Sequence, residues 1–182
     1  MPKDSKAEII QKLIKEERTM YANLFIARAL DKIGKAKYAV FAAEQVINIW
    51  DKQFPNDDRP RKAIEVAKKY INNPTLDISE EAACISKNAF SAAETSYDIM
   101  VAKKYMDNEH AIYASACSAA NAAYMAGNNS IEYITNATYN AVINAYISTA
   151  FEYCYILDSN YGKSLLIKIL QYGISVIVVN TI

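Results

Sequence analysis

Turn residues are scarce in this chain: four glycines and four prolines in 182 residues, of which 52% are hydrophobic. A sheet needs a Gly, Pro, Asn or Asp at almost every reversal. Long helices joined by short loops need far fewer. The expected architecture is therefore all-α, a single-domain helical bundle of about six to seven helices over residues 1–182. A chain of this length buries a full core without disulfides or metals.

Hydrophobic periodicity places the helices. Ser5 and Glu8 have the spacing of a capping box for a helix from about Lys6. A second segment, about Tyr21 to Leu30, is expected to end near Gly34. Ala39, Ala43, Val46, Ile47, Trp50 and Phe54 recur at helical spacing and predict one continuous apolar face ending at Pro55. Asp57 and Asp58 then stand where carboxylates can bond the free amides of the next helix. Pro60 suits a first turn, and Ala63, Ile64, Ala67, Tyr70 and Ile71 resume the apolar face. Asn72-Asn73-Pro74 breaks the chain. Ser79 can cap a helix over Glu80 to Tyr105 whose packed face is Ala82, Ile85, Ala89, Ala93, Ser96, Tyr97 and Met100. A helix from about Asn108 to Met125 ends at Gly127-Asn128-Asn129. The next, about Ser130 to Leu157, is expected to be the longest.

The segment from Trp50 to Glu65 carries a resemblance. Trp50, Phe54-Pro55, Asp57-Asp58-Arg59-Pro60-Arg61 and Ala63-Ile64-Glu65 resemble the Imm-5-like immunity proteins of bacteria. So does the close-packed run Ala114, Ala116, Ala119, Ala120, Ala122 and Ala123. The resemblance covers roughly residues 36 to 147. It implies a small all-helical protein that neutralises a polymorphic or contact-dependent toxin. On that basis the chain divides into N-terminal helices (1–35), an immunity-like core (36–158) and an apolar C-terminal extension (159–182). It departs from the family in being rich in Tyr and Asn, and in carrying the extension. If the corner binds a partner, Asp57, Asp58, Arg59 and Arg61 are its contact residues; by local chemistry alone it is a helix corner.

On a helical wheel, Ile131, Ile134, Thr138, Ala141, Val142, Ala145 and Thr149 form a core face. Glu132, Tyr139, Tyr146 and Tyr153 form a ridge on its shoulder, with Asn136, Asn140 and Asn144 parallel to it. The tyrosines suit either the edge of a core, hydroxyls in water, or a binding surface. Charge bears on the choice. From Tyr105 to Gly162 there is no Lys or Arg, but there are five acids and nine of the 14 tyrosines. The first 37 residues hold nine Lys or Arg against five acids. A cation-free acidic half is a poor match for nucleic acid and a better one for a basic protein surface. The basic N-terminus could equally pack over the acidic half.

Catalytic constellations are missing. The one histidine, His110, forms only an i, i+3 pair with Asp107, and there is no phosphate loop, nucleophile elbow or paired-Cys motif. Neither enzyme activity, metal nor cofactor is expected. Cys84, Cys117 and Cys154 are odd in number and far apart, and read as small buried hydrophobes in a reducing compartment. The opening MPKDSKAEIIQK has no apolar core of a signal peptide, so a cytoplasmic location is expected. Leu165 to Val179 is strongly apolar yet short of a bilayer span, and suits a core helix, a strand beyond Ile174 or a dimer contact. No membrane partner is expected; a homo-oligomer is possible.

Three functions fit. The first is an immunity protein that occludes a cognate protein toxin. The second is a phage or mobile-element inhibitor of a bacterial defence system, binding a defence protein or sequestering a nucleotide signal. The third is a nucleotide binder in which Arg59 and Arg61 hold the anion while a tyrosine or Trp50 stacks on the base.

Overall fold

The computed structural model describes residues 5–102, 109–152 and 159–179. They form nine helices and no strand: α1 (Lys6–Lys15), α2 (Thr19–Ala29), α3 (Lys32–Glu44), α4 (Ile47–Gln53), α5 (Arg59–Asn72), α6 (Leu76–Ala102), α7 (Glu109–Gly127), α8 (Ile131–Glu152) and α9 (Ser159–Val179). The all-α expectation holds, with more helices than expected.

The capping box forms as read: the Ser5 hydroxyl accepts from the Glu8 amide and the Glu8 carboxylate accepts from the Ser5 amide. α1 ends in a reversal where the Arg18 amide reaches back to the Leu13 carbonyl (2.8 Å). That closure puts Glu17 in the left-handed region, φ 56°, where glycine is usual. Gly34 does not end a helix. Asp31 caps α3 by accepting from the Gly34 amide (2.6 Å), which places the glycine inside the first turn. The single apolar helix expected through Phe54 is two helices. At Gln45 and Val46 the amides bond three residues back instead of four, and this tight turn redirects α4 without breaking the apolar spacing.

Ser79 does not cap α6, which begins a turn earlier, with the Thr75 hydroxyl accepting from the Ile78 amide (3.4 Å). The Ser79 hydroxyl instead donates to the Ala126 carbonyl (2.8 Å), tying α6 to the end of α7. At 27 residues, α6 is the longest described helix, against 22 for α8; residues 153–158 lie outside the described ones.

α7 sits at the centre. Between Ala111 and Ala126 every residue is buried except Tyr113 and Tyr124, which are partly so. α3, α4, α5, α6 and α8 surround it. Small side chains bring these helices close: at Gly127 an added Cβ would sit 2.6 Å from the Ala83 backbone nitrogen. Serine hydroxyls stitch the inner surfaces, Ser118 donating to the Ala141 carbonyl (2.7 Å) and Ser148 to that of Ala111. Ile131 departs from the predicted core face of α8 and is 76% exposed, because it stands at the helix start.

α9 is helical to Val179, including the β-branched stretch that also suited a strand. Asn160–Val179 is longer than the sequence reading allowed and, by length and composition, could cross a membrane. Its buried side, with Leu166, Ile169, Leu170 and Gly173, packs on α2, α3 and α8. Phe41 stacks on Tyr172 with ring centroids 4.0 Å apart.

Candidate functional site

The Asp57–Arg61 corner is built around Trp50. This indole is 1% exposed, lies against Phe54 with centroids 4.7 Å apart, and donates Nε1–H to the Asp57 carbonyl (2.8 Å). Held by that bond, Asp57 clamps Arg59 through Oδ1 to Nε (2.9 Å) and Oδ2 to Nη2 (2.6 Å), and also accepts from the Arg59 amide (3.2 Å). The hydrogen bond from Arg59 holds the Asp57 carboxyl below its ordinary range. Asp58, expected to cap α5, makes no capping bond and pairs instead with Lys62 (2.9 Å), one turn on. Arg61 pairs with Asp51. The corner thus brings four predicted residues together, each with an ionic partner inside the chain. Trp50 has no face open for a nucleotide base, so its proposed stacking role is corrected.

Tyr139 and Tyr146 of the predicted ridge are half-buried, while Glu132 is exposed; Tyr153 lies outside the described residues. Tyr139 sits where α2 and α8 meet. Its carbonyl accepts from Asn23 Nδ2 (3.2 Å), and Asn23 Oδ1 accepts from the buried Tyr38 hydroxyl (3.2 Å). Tyr146 lies against α9 near Gly162 and lines a cavity of about 280 Å³ with Met20, Leu166 and Ile167. Asn136 and Asn140 form an exposed polar ridge, with Asn144 partly covered.

Sequence reasoning passed over one more site. Where the C-terminal part of α6 faces the start of α7, Glu94, Tyr97, Asp98, His110 and Tyr113 line a hollow of about 390 Å³. The Tyr97 ring meets Tyr113 edge-on at 5.7 Å and His110 at 6.0 Å between centroids. Tyr97 was expected on the packed face of α6, but it is 36% exposed. The signal was present: residues 94, 97 and 98 stand at i, i+3 and i+4, and 110 and 113 at i and i+3, so each set shares a face. Below the hollow, Tyr113 hydrogen-bonds buried Cys117. The charge of that sulfur and the bond to it push the Tyr113 phenol up to about 12, with burial and Glu94 adding. Burial first, and Glu94 after it, pushes the Cys117 thiol up to about 11. Cys84, expected to be buried, is exposed; Cys154 lies outside the described residues.

Among the described residues no three His, Cys, Asp or Glu side chains converge as a metal site. Asp107, the suggested partner of His110, lies outside them. The geometry offers paired charges, aromatic edges and hollows.

The sequence profile of one family, described as "Imm-5 like putative immunity protein", matches residues 28–134, more than half of the chain. The chain belongs to this family. The match runs from the end of α2 through α7 into the first turn of α8, so the Imm-5-like segment contains both the corner and the α6–α7 hollow. It leaves out α1, most of α2 and of α8, and α9. No curated protein and no solved structure matches the chain.

Proposed function

We propose that the chain is a non-enzymatic immunity protein that binds a protein toxin and occludes it. Membership in the Imm-5-like family is the observation that carries this reading. The charge pattern supports it. The stretch from residue 105 to 162 has no Lys or Arg, and its exposed part, which includes Glu132 on α8, suits the basic groove of a toxin that handles nucleic acid. Occlusion needs no catalytic group on the inhibitor, only a complementary surface with a few well-packed anchors. Within the set read from the sequence, Asp58, Arg61 and Glu132 present the most accessible charges, and Tyr139 and Tyr146 offer ring edges.

The test is capture of the tagged full-length chain from its native cells, with light scattering of the eluate. The expected result is a stoichiometric protein that is toxic when expressed alone and harmless when co-expressed with this chain. A captured defence protein with no toxicity of its own would favour the mobile-element inhibitor. A homo-oligomer with no second protein would remove both readings.

A further inference from the structure

We infer that the hollow between α6 and α7 receives an arginine side chain from the protein partner, its guanidinium lying between the tyrosine rings and the two carboxylates. This inference rests on the toxin-binding reading and names the chemistry of one contact.

Three observations converge. Glu94 and Asp98 are both exposed at i, i+4 on α6, and neither is in the ion pairs seen among the described residues. Like charges at that spacing repel and weaken a helix. Asp51, Asp57, Asp58, Glu44 and Glu81, by contrast, each pair with a cation of their own chain. Second, aromatic rings flank the carboxylates. Tyr97 and Tyr113, in edge-to-face contact, both line the hollow, and a tyrosine ring attracts a cation. Third, the site is concave, at about 390 Å³, with room for one long side chain.

Arginine fits better than lysine. Its planar guanidinium stacks on an aromatic ring and presents forked N–H donors that two carboxylates one helical turn apart can accept. It also gives up its hydration more easily than an ammonium. His110 lines the rim and adds another aromatic edge.

The probe is Nα-acetyl-L-arginine methylamide, with the citrulline analogue as the uncharged isostere. Binding is read from the side-chain resonances of Tyr97 and Tyr113. The expected result is saturable ring shifts with the arginine compound and about tenfold weaker binding of citrulline, since charge-assisted hydrogen bonds are roughly twice as strong as neutral ones. In Glu94→Gln/Asp98→Asn the arginine response should disappear while the melting temperature stays level or rises, because the like-charge repulsion is gone. No saturable shift, or equal binding of citrulline, overturns the inference and leaves toxin binding standing on its own capture test. A captured toxin that binds the double variant as tightly as wild type also overturns it. Capture of no toxin removes the parent reading, while the probe still reports what the hollow binds.

Discussion

At the scale of single residues, the corner separates packing from recognition. Trp50 combines burial, a ring contact and a hydrogen bond to a carbonyl, so Trp50→Ala removes all three. The expected loss is about 3–5 kcal/mol in chemical denaturation. Arg59 differs: its side chain is 40% exposed and its ionic partner among the described residues is Asp57, two positions before it. Such pairs contribute about 0–1 kcal/mol. Arg59→Ala should therefore leave stability nearly unchanged, and a loss as large as that of Trp50→Ala would show the clamp to be structural. The clamp also has a pH signature. Because Arg59 lowers the folded-state pKa of Asp57, its stabilisation is present above the ordinary carboxylate range and is lost as pH falls through the lowered value. Melting temperatures across the acid range should show Asp57→Asn less stable than wild type near neutrality, the gap closing toward low pH. Glu17 is a further test. Its left-handed conformation carries strain that glycine does not, so Glu17→Gly should stabilise by about 0.5–1 kcal/mol even though it loosens the unfolded chain.

At the scale of helices, close approach is the recurring device, and it explains what the sequence could and could not say. Periodicity located α5, α6, α7 and α8 well, because each keeps a buried stripe for several turns. It failed where the stripe crossed a break. Ala43, Val46, Ile47 and Trp50 stay on one apolar face through the tight turn at Gln45, so spacing alone cannot see two helices there. It also failed where polar residues serve tertiary contacts. Ser79 resembles a cap but bonds the neighbouring helix, and Gly34 resembles a stop but sits under the Asp31 cap. The α6–α7 hollow was missed for a related reason: spacing puts each set of its residues on one face, but the sets are split between two helices, and only packing brings the faces together. Two glycines measure that packing. An alanine Cβ at Gly173 would lie 2.7 Å from Ile26 Cγ2 and 2.8 Å from Tyr38 Cε2, side-chain atoms that can shift a little. At Gly127 it would meet Ala83 backbone at 2.6–2.7 Å, which cannot. Both Gly→Ala variants should be destabilised, by about 1–3 kcal/mol for Gly173 and by more for Gly127. Denaturation midpoints will rank them, and the reverse order would mean that α6 and α7 separate more easily than their serine stitching implies.

At the scale of the whole molecule, the division of charge becomes a mechanical property. One explanation of the basic N-terminus and the acidic stretch from 105 to 162 is that they neutralise each other inside the fold. The ion pairs among the described residues do not do this. They join Arg18 to Glu16, Arg59 to Asp57, Arg61 to Asp51, Lys62 to Asp58, Lys68 to Glu44 and Lys69 to Glu81, and none links the first 37 residues to the acidic stretch. Lys32 does reach that stretch, but through the neutral amide of Asn129 (3.0 Å). The net charge of zero hides an uneven distribution along the chain, with nine Lys or Arg against five acids in the first 37 residues and no cation beside five acids from 105 to 162. The field of such a distribution acts before contact. It orients a basic partner toward the acidic side and speeds encounter, and salt screens it over a Debye length of about 8–10 Å at physiological ionic strength. The association rate with a captured toxin should thus fall by about tenfold from low to high salt, while the dissociation rate changes little. Stopped-flow mixing at several salt concentrations measures both. Steering by the whole field should survive Glu94→Gln/Asp98→Asn in large part, since both residues lie outside the stretch from 105 to 162 and its five acids all remain. A hollow that anchors an arginine should instead show its loss in the dissociation rate. If both rates are insensitive to salt and to the double variant, the partner docks elsewhere, and the uneven charge has no part in finding it.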